Sequence, residues 1–243
     1  MKSAFDLSGR RILITGAADG IGAATAAVCA RLGAEVILVD LRDAELVAAR
    51  IREAGGQASS LVADVSTRAA AEQLAGIVDD LDGLVLNAAV CPWDDDWDAP
   101  SWDTNFDRVI AVNVLGPVHL ARVFLPGMIR RRWGRMVFVG SPAGRTGGLI
   151  AGPHYVASKG GVHAFVKWLA RRAAPHGVLV NGVAPASVET PMITDRPVDL
   201  ARIPLARKAS PEEVAWPIAF LCSAATSYIC GAVLDVNGGV HMG

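Results

Sequence analysis

Hydrophobic and polar residues follow one another along the chain in two kinds of block. Short, nearly continuous apolar runs, typical of strands buried on both faces of a parallel sheet, occupy residues 11–15, 35–40, 84–86, 135–139 and 178–180. Windows with helical periodicity occupy residues 21–32, 44–54, 67–78, 106–132 and 154–174. This rhythm predicts an α/β fold with right-handed crossovers, in which a doubly wound parallel sheet carries helices on both faces. No linker or repeat interrupts it, so we expect residues 1–243 to form a single domain.

Composition narrows the functional classes. Apolar residues make up 52% of the 243 residues, and the net charge of −1 offers no basic field for nucleic acid or a membrane surface. The N-terminus lacks the apolar stretch of a secretion signal, and no run approaches the ~20 apolar residues of a membrane span. The four cysteines show no metal-ligand spacing. We therefore expect a cytoplasmic protein without a metal, a membrane or a nucleic-acid partner.

A glycine-rich loop follows the first predicted strand and opens the first predicted helix. Residues 15–22 contain Gly16, Asp19, Gly20, Ile21 and Gly22. Glycines let the backbone turn tightly and approach a pyrophosphate, and the helix N-terminus offers unpaired N–H donors to it. Plain turn chemistry explains three glycines equally well, but the strand before and the helix after favour a dinucleotide site.

Asp40 ends the second predicted strand, eighteen residues past Gly22. A carboxylate there can accept hydrogen bonds from both ribose hydroxyls of an adenosine and repels a 2′-phosphate, which selects NAD over NADP. Asp19 adds negative charge, whereas Arg42 could reach such a phosphate. Two carboxylates should outweigh one exposed arginine, so we expect NAD as coenzyme. The alternative for Asp40 is a turn residue at a strand end.

Two further strand ends supply coenzyme contacts in this interpretation. Asp64 and Val65 end the third strand and could flank the adenine, by a hydrogen bond and an apolar contact respectively. Asn87 and Ala88, followed by Ala89, end the next strand, where small side chains would let the backbone approach the ribose.

Tyr155 and Lys159 are spaced four residues apart in a predicted helix, which places a phenol and an ammonium on one face. A tyrosine with its free pKa of ~10 is a poor base. A neighbouring cation, with the positive ring of a nicotinamide near, favours the phenolate, and lowering that pKa by about three units takes roughly 4 kcal/mol. The alternative is an ordinary surface pair.

Two polar residues could complete a catalytic site. Ser141 ends the fifth predicted strand, where its hydroxyl could orient a substrate oxygen or simply cap a turn. Asn113 lies inside a predicted helix, where asparagine is a poor helix former. Either it links Lys159 to solvent through a proton relay or water, or it is a satisfied core asparagine.

Taken together, these residues resemble the classical short-chain dehydrogenase/reductase family over essentially the whole chain. The motifs are residues 15–22, 64–65, 87–89, Asn113, Ser141, the Tyr155 and Lys159 pair, and residues 181–190. The resemblance implies a seven-stranded Rossmann fold and hydride transfer between a nicotinamide and a secondary alcohol or ketone. It also implies a catalytic tetrad of Asn113, Ser141, Tyr155 and Lys159.

The resemblance implies further contacts. Tyr155 and Lys159 would touch the coenzyme, with Lys159 on the nicotinamide ribose, while Pro185, Val188 and Thr190 hold the carboxamide and phosphate side. The last strand, within residues 233–239, would pack in an interface of a homotetramer, with a dimer as the other possibility.

The chain departs from the family pattern at four points. Leu86 and Ala89 replace an Asn and a Gly, Ala186 replaces a Gly, and Ser141 precedes Tyr155 by fourteen residues, one more than in many relatives. None removes a catalytic group, but Ala186 puts the loop around the nicotinamide in question.

Three segments should enclose the substrate: residues 91–97, 142–153 and 192–204. Trp93 and Trp97 could wall a pocket or plug a loop against the protein, and His154 could touch substrate or cap its helix; we favour the plug and the cap. The acidic residues of 94–98 suggest a solvated surface. Residues 147–151 offer small and aliphatic walls without a cation to grip a carboxylate.

Three functional hypotheses remain. The first is an NAD-linked dehydrogenase of a small secondary alcohol, polyol or hydroxy compound, which the acidic residues favour. The second is a reductase of a 3-oxoacyl thioester, which would prefer NADPH. The third is a non-catalytic dinucleotide-binding protein, which the intact tetrad makes the weakest.

Overall fold

The computed structural model describes residues 3–93, 97–148 and 151–243. Its centre is a seven-stranded sheet in the order β3-β2-β1-β4-β5-β6-β7, with every neighbouring pair parallel. The strands are β1 (Arg11–Thr15), β2 (Glu35–Asp40), β3 (Gln57–Val62), β4 (Gly83–Leu86), β5 (Gly134–Val139), β6 (Val178–Pro185) and β7 (Val233–Val236). The predicted doubly wound parallel sheet is confirmed.

Helices cover both faces of the sheet. They are α1 (Gly20–Arg31), α2 (Glu45–Glu53), α3 (Arg68–Ile77), α4 (Trp102–Ile110), α5 (Gly116–Arg131), α6 (Ala143–Thr146), α7 (Pro153–Ala173) and α8 (Pro211–Cys222). A π-helical turn, Ala111–Leu115, joins α4 to α5. Short 3-10 turns occupy Ala174–His176, Pro191–Ile193, Leu200–Arg202 and Ala224–Thr226.

Two apolar cores lie on opposite faces of the sheet. Because successive strand residues point to opposite faces, Ile12 and Ile14 of β1 join the core under α1, α2 and α8, whereas Leu13 joins the core under α3, α5 and α7. Since all strands run the same way, their carboxyl ends meet at one edge. Thr15, Asp40, Val139 and the residues that follow them are thereby brought together.

The strands that hydrophobicity does not reveal lie at the two edges of the sheet. In β3, Ser59 and Ser60 interrupt the apolar pattern, and its exposed Val62 borders no further strand. In β7 every residue is only partly buried. An edge strand needs no continuous apolar run, because one of its sides meets solvent or loops.

One continuous helical stretch, Trp102–Arg131, is long and apolar enough by composition to cross a membrane. In the fold its apolar residues pack into the protein core, where Leu120, Phe124 and Met128 of α5 are buried against the sheet. The same hydropathy is expected of a core helix in an α/β protein, so this stretch is weak grounds for a membrane partner.

Candidate active site

A groove with two halves runs along the carboxyl edge of the sheet. The acidic half is a cavity of about 490 Å³ whose walls include Asp19, Asp40 and Asp64. The buried half, of about 450 Å³, is walled in part by Ser141 and Tyr155. The two halves share the wall residues Ile21, Asn87, Ala89, Thr190 and Met192.

Most residues predicted to hold a coenzyme line this groove. The acidic half is bordered by Gly16, Asp19, Gly20, Ile21, Asp40, Asp64, Val65, Asn87, Ala88 and Thr190. The buried half is bordered by Tyr155, Lys159, Pro185 and Val188, and by Ala186, the residue that departs from the family pattern. The sheet topology therefore gathers residues as far apart in the chain as Gly16 and Thr190.

Gly22 lies beneath the glycine loop instead of lining the groove. A Cβ at this position would lie 2.7 Å from the carbonyl carbon of Gly16, so only glycine lets the first turn of α1 approach the loop. Asn87 locks the arrangement from the other side, because its Nδ2 donates to the carbonyls of Thr15 (2.9 Å) and Gly16 (3.0 Å). The result is a rigid cradle at a helix N-terminus, which suits a phosphate group.

Asp40 is held in place by the backbone at the end of β2. Its Oδ2 accepts from the N–H of Ala18 (3.0 Å) and its Oδ1 from the N–H of Arg42 (3.0 Å). The Arg42 guanidinium forms an ion pair with Asp19, and this pair raises the pKa of Arg42. The Arg42 cation is thus engaged by a carboxylate. Among the described residues that border this half, three aspartates face two arginines, Arg42 and Arg108, so this half of the groove stays acidic.

Tyr155 and Lys159 lie on α7, one turn apart, and Ser141 follows β5. The Lys159 Nζ donates to the carbonyl of Val139 (2.8 Å) and lies 5.4 Å from the centroid of the Tyr155 ring. The hydroxyl oxygen of Ser141 accepts from the N–H of Ala143 (3.2 Å), which leaves its proton available for donation.

Burial governs the ionisation of both α7 residues. It raises the pKa of Tyr155 well above its ordinary value, a hydrogen bond with Ser141 acting in the opposite direction, and it lowers the pKa of Lys159 to about 8. In the chain alone, burial outweighs the charge of Lys159, and the expectation that Lys159 and a positive nicotinamide ring together make Tyr155 acidic stays a prediction. That expectation counts the charge of the lysine but neglects the loss of water around both groups, which disfavours both charged forms.

Asn113 occupies the π-helical turn and is 1% exposed. Its amide accepts from the N–H of Val90 (2.8 Å) and donates to the Val90 carbonyl (2.9 Å) and to the hydroxyl of Ser158 (3.1 Å). These bonds tie the segment after β4 to α7. Of the two sequence interpretations, the geometry favours the satisfied core asparagine, and the proton relay stays a prediction.

The aromatic residues predicted near the substrate separate into two groups. Trp93 lines the buried half of the groove, and its Nε1 donates to the carbonyl of Met192 (3.2 Å) across the groove mouth. Trp97 is largely exposed and packs against Trp102 instead. Trp93 is therefore a wall residue, contrary to the plug that we favoured.

His154 is fully buried, with Trp102 and Phe106 packed edge-on to its ring at centroid distances of 4.0 and 5.1 Å. It is not among the described residues that border either half of the groove. The N-cap of α7 is Gly152, so the helix-cap interpretation fails as well. The aromatic pocket, formed by a helix fifty residues earlier, could not be read from local sequence.

Some predicted wall residues lie outside the described residues: Asp94, Asp95, Asp96, Leu149 and Ile150. The third segment, around residues 192–204, contributes apolar walls from Ile193, Val198 and Ile203. It also contributes Arg202 and Asp199, whose charged groups lie 3.9 Å apart. Among the described residues no cluster of three or more His, Cys, Asp or Glu could hold a metal.

Sequence reasoning missed His163, which lies on α7 behind Ser141 and is 7% exposed. Burial, reinforced by neighbouring cations, lowers its pKa to about 4. A signal was present, because Tyr155, Lys159 and His163 follow one another at intervals of four residues and so share one helix face.

The family model for short chain dehydrogenase matches residues 10–200, so the chain belongs to the short-chain dehydrogenase/reductase family. It is an oxidoreductase of that family, with a site for a nicotinamide coenzyme.

Relatives carry several activities. The 3-oxoacyl-[acyl-carrier-protein] reductase FabG of Aquifex aeolicus is 37% identical, over 96% of this chain and 98% of that protein. A Brucella melitensis 3-oxoacyl-[acyl-carrier protein] reductase structure with bound NAD has a TM-score of 0.91 at 31% identity, covering 98% of this chain and 94% of that one. A Beutenbergia cavernae structure, assigned as an NAD(P)-dependent gluconate 5-dehydrogenase with NADP at low occupancy, has a TM-score of 0.90 at 35% identity, covering 98% and 99%.

Proposed function

We propose that the protein is an NADH-dependent reductase that converts a 3-oxoacyl thioester to the 3-hydroxyacyl thioester. The observation that carries this proposal is the buried half of the groove: a protonated phenol beside a serine hydroxyl, at the base of a cleft with mostly apolar walls. The first sequence hypothesis favoured a small alcohol or polyol. The relatives named as 3-oxoacyl reductases favour the second hypothesis for the substrate, while the acidic half supports NADH as coenzyme.

The protonation state of Tyr155 suits reduction. A ketone that receives a hydride needs a proton on its oxygen, and a phenol whose pKa is raised by burial holds that proton ready. Because the Ser141 oxygen accepts from Ala143, its O–H can donate to the same substrate oxygen and orient the carbonyl. The bound nicotinamide supplies the hydride; these two side chains supply the orientation and the proton.

Lys159 contributes a hydrogen-bond donor and a positive charge that it can gain or lose near neutral pH. One of the three donor positions of its ammonium is used by Val139, which leaves two for a coenzyme ribose. With a pKa near 8, the amine is close to the protonation balance at which it can pass a proton toward Tyr155.

The coenzyme preference rests on the two carboxylates of the acidic half. Asp40 has its two oxygens oriented by backbone N–H groups, and free lone pairs remain for ribose hydroxyls. A 2′-phosphate in the same place would meet Asp40 and Asp19, while Arg42 is already paired with Asp19 and Arg108 is the other cation on the walls of this half. We infer a preference for NADH over NADPH.

Apolar walls favour an acyl chain over a polyol. Ile193, Val198 and Ile203 can cover methylene groups but offer no hydrogen bonds to a row of hydroxyls. Arg202 is the specific observation in favour of a second candidate, a dehydrogenase of a hydroxy acid, because a guanidinium on the groove wall could bind a carboxylate.

Initial rates with acetoacetyl-coenzyme A and NADH, compared with NADPH and with the NAD-linked oxidation of secondary alcohols and sugar acids, test the proposal. We expect the thioester with NADH to be the best pair by at least about tenfold in kcat/KM. Faster oxidation of a sugar acid would establish the second candidate instead. Absence of turnover with the whole panel, together with tight NADH binding, would point to the non-catalytic hypothesis. A cytoplasmic location and a homotetramer stay predictions.

A further inference from the structure

His163 lies directly behind the serine of the buried half. Its Nε2 accepts the backbone N–H of Ser141 at 3.4 Å. The ring also lies close to the preceding residue, since a Cβ on Gly140 would come within 2.8 Å of the His163 Cδ2 and closer still to Nε2. The imidazole therefore supports the backbone at the point where β5 ends and the catalytic segment begins.

Several other hydrogen bonds surround this corner of the chain, including one from the Gly144 N–H to the Ser141 carbonyl (3.1 Å). The N–H of Gly140 continues the sheet by donating to the carbonyl of Val183 (2.7 Å). The Ser141 hydroxyl accepts the N–H of Ala143, a local contact that moves with the segment itself, and it also forms a hydrogen bond with the Tyr155 hydroxyl. The bond from the Ser141 N–H to His163 ties the backbone of the serine to the helix that carries Tyr155 and Lys159. The relative placement of serine and tyrosine thus depends in part on this bond.

The charges around the ring keep its Nε2 able to accept a hydrogen bond. Arg145 from α6, Lys159 and Lys167 from α7, and Asp235 from β7 face the imidazole. Asp235 is itself engaged by Arg145 at 2.6 Å, so the cations predominate. A neutral imidazole with its proton on Nδ1 offers a lone pair at Nε2, whereas a charged ring would present a second donor to the Ser141 N–H.

We propose that His163 is a positioning residue that holds the Ser141 backbone so that the serine hydroxyl and the Tyr155 phenol meet the same substrate oxygen. His163 does not itself touch the substrate. The inference rests on the proposed function in one respect: it assumes that Ser141 orients a carbonyl oxygen.

Two replacements separate positioning from simple packing. His163→Leu fills a similar volume but removes the acceptor, whereas the Oε1 of His163→Gln can reach the Ser141 N–H. We expect His163→Leu to lower kcat about tenfold or more, because small misplacements of catalytic groups are costly. His163→Gln should recover kcat to within about threefold of the parent, with the dissociation constant of NADH unchanged in both. The exposed His176→Leu serves as control and should behave as the parent.

Unchanged kcat in His163→Leu would overturn the proposal. So would an equal loss in the leucine and glutamine variants, because that pattern reports packing and not the hydrogen bond. Thermal unfolding of each variant shows whether any loss of kcat comes from loss of folded protein.

A measurement without substrate keeps this inference distinct from the proposed function. Nitrogen-15 spectra of protein labelled at histidine and serine report the protonation of each ring nitrogen and the environment of the Ser141 amide. We expect an unprotonated Nε2 at neutral pH, and a Ser141 amide resonance that shifts in His163→Leu. A protonated Nε2 would overturn the positioning role. The expected spectra without turnover of any panel substrate would instead refute the proposed function and leave the contact standing.

Discussion

The two halves of the groove use charge in opposite ways. In the acidic half, the side chains of Asp19 (40% exposed) and Asp40 (11% exposed) are oriented by backbone or by an ion pair and act through their negative charge. In the buried half, loss of water raises the pKa of Tyr155 and lowers those of Lys159 and His163, so neutral forms are favoured. Recognition of the coenzyme therefore depends on fixed negative charge, whereas proton transfer to the substrate depends on the loss of water around the titratable groups. Both effects act within one continuous groove.

The sharpest way to break this comparison is Tyr155→Phe. We expect turnover to fall about 10³-fold, because the proton donor is lost while the ring that fills the site remains. Coenzyme binding, measured by quenching of protein fluorescence, should change little, because the acidic half is untouched. Tyr228, the other tyrosine, is fully exposed and supplies a matched control in Tyr228→Phe. Substantial turnover in Tyr155→Phe would remove this residue as proton donor.

Asp40→Ser tests the acidic half alone. Loss of charge-assisted hydrogen bonds to ribose, worth about 1.5–3 kcal/mol, should lower the NADH-to-NADPH ratio of kcat/KM by roughly 10- to 100-fold. Asp79→Ser, an exposed position distant from the groove edge, serves as control. We also expect turnover with NADPH to rise in Asp40→Ser relative to the parent. A ratio that stays constant in this variant would show that the carboxylate does not select the coenzyme.

The smallest expected effect concerns stability in the buried half. The pKa of Lys159 is lowered to about 8 in the folded chain. Above pH 8 the unfolded chain therefore binds more protons than the folded chain, and the free energy of unfolding increases as the pH rises. Below pH 8 both states are protonated and this contribution is flat. Between pH 8 and 10 the gain relative to Lys159→Met should reach at most about 2 kcal/mol.

Urea unfolding of the parent and of Lys159→Met across this pH window measures the difference. Subtracting the two curves removes titration that is common to both proteins. Parallel curves would show that the lysine keeps an ordinary pKa despite its burial.

Local sequence patterns predict the interior of the fold well and its edges poorly. The apolar runs of β1, β2, β4, β5 and β6 identify strands because both faces are buried, whereas β3 is hidden by Ser59 and Ser60 at an edge. The residues that line the groove could be predicted because each lies at a strand end or one helical turn from another. What those residues contact could not be predicted in the same way.

Three residues show why. The amide of Asn87 hydrogen-bonds the glycine loop, and that of Asn113 hydrogen-bonds Val90 and Ser158. The ring of His154 packs against two aromatic side chains. Each partner comes from a distant segment, so only the tertiary structure reveals it. The burial that raises the pKa of Tyr155 in the chain alone could not be predicted for a related reason, because the depth of burial is a property of the whole fold and not of a four-residue spacing.

The ring of His163 lying on Gly140 also constrains how the chain can diverge. Any larger residue at position 140 collides with the imidazole, and a smaller residue at position 163 leaves a void beneath the strand end. A substitution at only one of the two positions therefore disturbs the packing, so the two positions are expected to change together in descendants of this sequence. In libraries for directed evolution, they should be randomised as a pair.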